Sequence, residues 1–176
     1  DELYSLARKH FELALDKSSS ADEEVEAAVL LARALRSAGD YEQAEEVLAE
    51  QSRQAGDSAA YGAYLCERAY LEFDRGDYRA SLAALTSSLE DVHLDRATEI
   101  ERLRLLPKVY LKLGKRDEAL NAFAEFHQQH PSNPNAPANL LAWAGALAQA
   151  GRLEDAIDRL RDVADLYTDT REAWTA

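Results

Sequence analysis

Four glycines set the frame of this chain. Gly39, Gly76, Gly114 and Gly151 recur at intervals of 37, 38 and 37 residues, each between two stretches rich in helix formers. A period of that length marks an array in which every repeat is one supersecondary unit. A small residue follows five positions after each glycine: Ala44, Ser81, Ala119 and Ala156. Another small residue stands seven positions before three of them: Ala32, Ala69 and Ala144. Small residues at matched points let paired helices approach to about 8–10 Å. Each period therefore reads as a helical hairpin whose first helix closes on a glycine in left-handed backbone.

The rest of each period fits that reading. Asp40 and Asp77 follow their glycines, where a carboxylate caps the free N–H groups of the next helix. In that second helix, apolar residues continue nine and twelve positions after the glycine, on the same face as the small one. They are Phe123 and Phe126 in the third unit and Leu160 and Val163 in the fourth; the first unit has Leu48 and then, as an exception, Gln51. Tyr4, Ala7, Phe11 and Ala14 repeat the second-helix pattern, so the chain starts inside a unit. Ser18-Ser19-Ser20, Gly56-Asp57-Ser58 and the segment 131–137 are connecting loops by composition. Ser20 with Glu23, and Thr98 with Glu101, have the spacing of capping boxes.

Two positions depart from the pattern. Pro107 occupies the small-residue position of the third first helix, and an interior proline costs roughly 3 kcal/mol. Apolar residues continue on both sides of it, so the expectation is a kink near Leu103 and not a break. Arg68 and Glu72 stand where the second unit should be apolar, and their spacing allows them to pair on the helix surface.

These features resemble the tetratricopeptide repeat family. The carriers are Gly76-Asp77-Tyr78-x-x-Ser81, its counterpart Gly39-Asp40-Tyr41-x-x-Ala44, and the exit His130-Pro131. The period is longer than the family's usual one by three to four residues, which lengthens the loops between units. The resemblance implies an all-α, right-handed superhelix (a solenoid) of about four helix–turn–helix repeats at 20–56, 58–93, 95–131 and 135–169. A half repeat at 1–17 precedes them and a stub at 170–176 follows, as expected of part of a larger protein. It also implies a concave groove, lined by the first helix of each unit, that receives a partner peptide or helix.

Composition narrows the function. With 7 Gly and 4 Pro in 176 residues, an all-β fold is disfavoured, and 47% apolar residues suffice for a core. The net charge of −13 argues against nucleic acid as a partner and against anionic membrane surfaces. No stretch is long and apolar enough to span a bilayer. Cys66 is the one cysteine, which excludes an internal disulfide; at this position it reads as a buried, inert thiol. His127 and His130 are three apart near a helix end, but no third ligand is placed with them, so no metal and no cofactor is expected. No phosphate loop, nucleophile motif or carboxylate pair points to catalysis. The expected class is a non-enzymatic interaction module. A repeat sensor for a small molecule and an oligomerisation scaffold are its alternatives, with self-association through the terminal repeats. The sequence leaves a cytoplasmic or periplasmic setting open.

Positive charge picks out a candidate surface. Between 101 and 116 stand Arg102, Arg104, Lys108, Lys112, Lys115 and Arg116 against one acid, Glu101. Carrying the family's groove positions over places Arg33 and Arg36 in the first unit, Tyr70 and Phe73 in the second, and Arg104, Lys108 and Lys112 in the third. The expectation is that these seven residues receive an acidic, or mixed acidic and apolar, segment of a protein partner. The Lys/Asn/Arg set that some family members use to clamp chaperone tails is missing, with Val29 and Arg33 at its first positions.

Overall fold

A computed structural model of the chain describes residues 2–56, 58–86, 89 and 92–167. Among the described residues the architecture is all-α, with nine helices and no strand: α1 (Glu2–Lys17), α2 (Ala21–Ala38), α3 (Tyr41–Ala55), α4 (Tyr61–Arg75), α5 (Tyr78–Leu85), α6 (Arg96–Lys112), α7 (Arg116–Gln129), α8 (Ala136–Gln149) and α9 (Leu153–Leu166). The chain forms two compact units, Asp1–Thr98 and Glu99–Ala176.

The four repeat glycines close their helices in one way. Their φ values are +89° at Gly39, +88° at Gly76, +73° at Gly114 and +79° at Gly151, the left-handed region where a side chain is disfavoured. After each glycine the next N–H reaches back to a carbonyl five residues earlier: Asp40 to Leu35, Asp77 to Glu72, Lys115 to Tyr110 and Arg152 to Leu147, each at 2.9 Å. This Schellman pattern satisfies carbonyls that the helix end would otherwise leave bare. Asp77 then caps α5, accepting from the Ala80 N–H at 2.9 Å.

In the first unit α1 packs on α2, α2 on α3, α4 on both, and α5 on α4. The small positions are where the hairpins meet: Ala32, Ala44, Ala69 and Ser81 have no exposed surface. Ser81 adds a bond that alanine lacks, its hydroxyl donating to the Ala69 carbonyl at 2.8 Å. The Gln51 side-chain oxygen is buried without a partner, at the register where Phe126 and Val163 fill the core elsewhere. In α1, Phe11 is half-buried and Ala14 exposed; the side chains of Tyr4 and Ala7 and the whole of 170–176 lie outside the described residues.

In the second unit α7 packs on α8 and α8 on α9. Phe123, Leu120, Ala144, Leu147 and Ala156 form one buried cluster, and Leu103, Phe126 and Ala136 form another. Burying a phenylalanine or leucine side chain contributes about 1.5–3 kcal/mol, so these clusters hold the unit together. Helix α6 runs without interruption through Pro107, which is itself buried.

Two local expectations are corrected. The start of α6 is capped by Asp95 and not by a Thr98–Glu101 box. Asp95 accepts from the N–H groups of Ala97 (2.7 Å) and Thr98 (3.0 Å) and from the Thr98 hydroxyl (2.6 Å). Glu101 lies one turn too far along and binds Arg104 instead. Arg68 does not pair with Glu72; its guanidinium lies over the Tyr64 ring, 6.0 Å from the centroid. At the other box, Ser20 does accept from Glu23 N–H (3.2 Å), while the Glu23 carboxylate accepts from the backbone and hydroxyl of Ser19.

Candidate functional site

The seven sequence-derived residues fall in two groups, one in each unit. In the first unit, α2 and α4 lie side by side, and Arg33 and Arg36 project from α2 one turn apart. They converge on Glu67 of α4, which is 1% exposed. The Arg33 Nε donates to one carboxylate oxygen at 3.0 Å and the Arg36 Nε to the other at 2.6 Å. Arg36 also donates through Nη1 to Asp74 at 2.7 Å and covers the Tyr70 ring at 4.9 Å. Burial alone would lower the pKa of Arg36, but the charges of Glu67 and Asp74 outweigh it and hold the guanidinium above its ordinary value. Phe73 turns to the hairpin, edge-on to Tyr78 at 5.4 Å.

This arrangement changes the electrostatic meaning of the first group. Two arginines face two carboxylates, so the cluster is neutral as a whole. Glu67 and Asp74 are not among the seven candidates, because cations and aromatics were chosen along each helix without pairing residues across repeats. The signal that finds them is the offset: Arg33 and Glu67 are 34 residues apart, and Arg36 and Asp74 are 38. Residues about one period apart sit on adjacent first helices.

In the second unit the cations lie along α6. Arg102 binds Glu99 through two bonds of 2.8 and 2.7 Å, and Arg104 binds both oxygens of Glu101 through Nη1 at 2.9 and 3.0 Å. Lys115 approaches Glu118 at 3.8 Å. Lys108 and Lys112 are exposed on the same helix. Arg104 and Lys108 form one wall of a cleft whose opposite wall is α8, through Asn135, Ala138, Asn139 and Ala142, with Phe123 of α7 below. Asn139 is 8% exposed, and its side-chain oxygen has no hydrogen-bond partner.

Cys66 is buried, its thiol 3.9 Å from the Thr98 carbonyl. His127 faces Trp143 and His130 faces Phe126, so the two histidines have different aromatic neighbours. Among the described residues no group of three or more His, Cys, Asp or Glu is placed to hold a metal ion. None of the described helices is long and apolar enough to cross a membrane. One apolar surface stands out on α9, where Leu153 (61%) and Ile157 (46%), one turn apart, are exposed. Ile157 has the register of Leu120, which in α7 is covered by α8.

Comparison with known proteins agrees with this architecture. A family model described as tetratricopeptide repeat matches residues 2–68 and 110–176. No curated protein matches the chain. Among solved structures, the nearly identical TPR-like repeats of a kinesin-light-chain-like protein from Podosopora anserina superpose with a TM-score of 0.68 at 16% identity, covering 97% of this chain and 88% of that one. A singly substituted form of the same protein gives a TM-score of 0.68 at 16% identity, with 92% and 84% covered.

Proposed function

This chain belongs to the tetratricopeptide repeat family, whose fold generally mediates protein–protein interaction, and on that premise we propose that it is a non-enzymatic module binding a partner protein through its first helices. The partner segment is acidic, or mixed acidic and apolar. The observation that carries this reading is the row of Arg104, Lys108 and Lys112 along α6, in a chain of net charge −13. Positive charge on such a surface raises association rate and selects partners, while desolvated side chains hold the complex. Within the first unit, Arg33, Tyr70 and Phe73 supply the contact, and Arg36 acts as their brace because it is committed to Glu67 and Asp74.

The test is a titration of a partner captured from native extract against Lys108→Glu/Lys112→Glu and against Tyr70→Ala. Affinity is expected to fall in both, and to weaken with salt as the screening length shortens to about 8 Å at physiological ionic strength. If both variants keep their helical signal and bind like the parent, the first helices are not the surface. A second reading is favoured by Leu153 and Ile157: self-association through α9. It requires a light-scattering mass above that of one chain, returning to one chain in Ile157→Lys.

A further inference from the structure

We propose that the notch between α3 and α4 binds a free α-amino acid with an apolar side chain, its carboxylate on Arg68, its ammonium on Glu72 and its side chain on the apolar lining. The notch lies within the first unit, and none of the seven candidate residues lines it. The proposal therefore does not rest on the reading of the first helices.

Three observations lead to it. The first compares equivalent seams. Gly39 stands 75 residues before Gly114, and Gly76 stands 75 before Gly151, so the α3–α4 seam corresponds to α7–α8 at that offset. In α7–α8 the seam is closed by apolar residues: Leu120 and Leu147 are buried in one cluster, and Trp143 packs against it. Their counterparts in α3–α4 are Glu45, Glu72 and Arg68. There the seam opens into a notch of about 190 Å³.

The second observation is how these charges are used. Glu45 is bound to Arg75. Among the described residues no acid binds Arg68 and no cation binds Glu72; the Arg68 guanidinium lies over the Tyr64 ring instead. Arg68 and Glu72 stand one turn apart on α4, with about 5–6 Å between Cβ atoms, yet do not bind each other; the base before the acid is the weaker order at this spacing. One cation and one anion thus line the same notch. The third observation is the remainder of the lining: Leu48, Ala49, Leu71 and Tyr64. A cavity of about 150 Å³ takes a benzene ring, so this one has room for one side chain of leucine or phenylalanine size. A residue within a peptide carries neither main-chain charge, and a chain terminus carries one. A free amino acid presents both on one carbon, in the sense opposite to Arg68 and Glu72, with its side chain beside them.

The probe is L-leucine, titrated into the whole chain and followed by NMR at the Tyr64 ring and the backbone of α3 and α4. Leucinamide lacks the carboxylate, N-acetylleucine the ammonium and glycine the side chain. Arg68 is exposed and Glu72 half-buried, so water competes for both charges and a Kd of about 1 mM is expected for leucine. Each of the three analogues should bind about fivefold more weakly or worse, the size of one lost contact. Arg68→Gln and Glu72→Gln should each weaken leucine by a similar factor. The effect of Arg68→Gln should vanish with leucinamide, and that of Glu72→Gln with N-acetylleucine, because one half of the pair is then already missing. The proposal is overturned if leucine does not saturate by about 30 mM, or if any analogue binds as well as leucine. It is also overturned if either variant, with its helical signal intact, binds leucine like the parent.

Discussion

Removing the Glu67 carboxylate tests how the first unit is held. Glu67 is 1% exposed and uses both oxygens, one on Arg33 and one on Arg36. Deleting one partner of a fully buried ion pair costs about 3–5 kcal/mol, because the other charge is left without compensation. Here the two partners differ. Arg33 is 44% exposed and can turn into water, whereas Arg36 is 16% exposed and keeps Asp74 and Tyr70. Glu67→Ala should therefore cost less than the full figure, about 2–3 kcal/mol. Glu67→Gln keeps an acceptor but no charge and should cost about 1–2 kcal/mol. Arg36→Ala should exceed Arg33→Ala, since Arg36 is the less exposed guanidinium and its loss also removes the bond to Asp74 and the cover of Tyr70. Urea unfolding followed by far-ultraviolet circular dichroism measures each value, and a double-mutant cycle of Glu67→Ala with Arg36→Ala measures their coupling. Strict additivity in that cycle, or a Glu67→Ala variant within about 0.5 kcal/mol of the parent, would refute the brace.

The remaining predictions follow from single contacts. Gln51→Leu should stabilise the first unit by about 1 kcal/mol, because it removes a buried unpaired oxygen at a register filled elsewhere by Phe126 and Val163; an unchanged urea midpoint counts against the register. Ala44→Phe should destabilise by about 1–3 kcal/mol through overpacking at a residue with no exposed surface. Gly39→Ala should cost about 1–2 kcal/mol from backbone strain alone, since an added Cβ there meets no atom within 4 Å; thermal melting of the variant decides it. Asp95→Ala should cost about 1 kcal/mol at neutral pH through loss of the α6 cap. The Thr98 hydroxyl first, then the Thr98 and Ala97 N–H groups, hold the Asp95 carboxyl below its usual value against the opposing effect of partial burial. Its contribution is thus complete above the unfolded carboxyl value and disappears as pH falls through the lower native one. The gap between Asp95→Ala and parent should close in acid, and a gap independent of pH would show that the cap works without its charge.

The hairpins were readable because they rest on local rules. A left-handed glycine, a small residue five positions on and an alanine seven positions back are all visible within twenty residues of sequence, and the backbone has few ways to satisfy them together. The same rules explain the miss at α6. Thr98 and Glu101 have the spacing of a capping box, but so do Asp95 and Thr98, and a carboxylate that accepts three bonds outcompetes a hydroxyl that accepts one. Pattern spacing alone does not choose between two overlapping boxes three residues apart.

The candidate surface was less readable because its energetics are non-local. Counting cations along each first helix gave Arg33 and Arg36 the same weight as Lys108 and Lys112. Helices packed at repeat distance place each residue against another about one period away, so charge has to be counted across the α2–α4 boundary and not along one helix. Counted that way, the first-unit cluster cancels, and its arginines fix how two repeats pack. On α6 the compensating acids lie instead on the same helix: Glu99 for Arg102 and Glu101 for Arg104, each three residues away. Pairs of that kind are partly exposed and contribute about 0.2–1 kcal/mol, so a partner carboxylate can displace them at little cost. Arg36, 16% exposed and held across two repeats by buried Glu67 and by Asp74, cannot be recruited without loosening the stack. That difference in what each cation is bound to, and not their number, is why the proposed acidic ligand is assigned to α6.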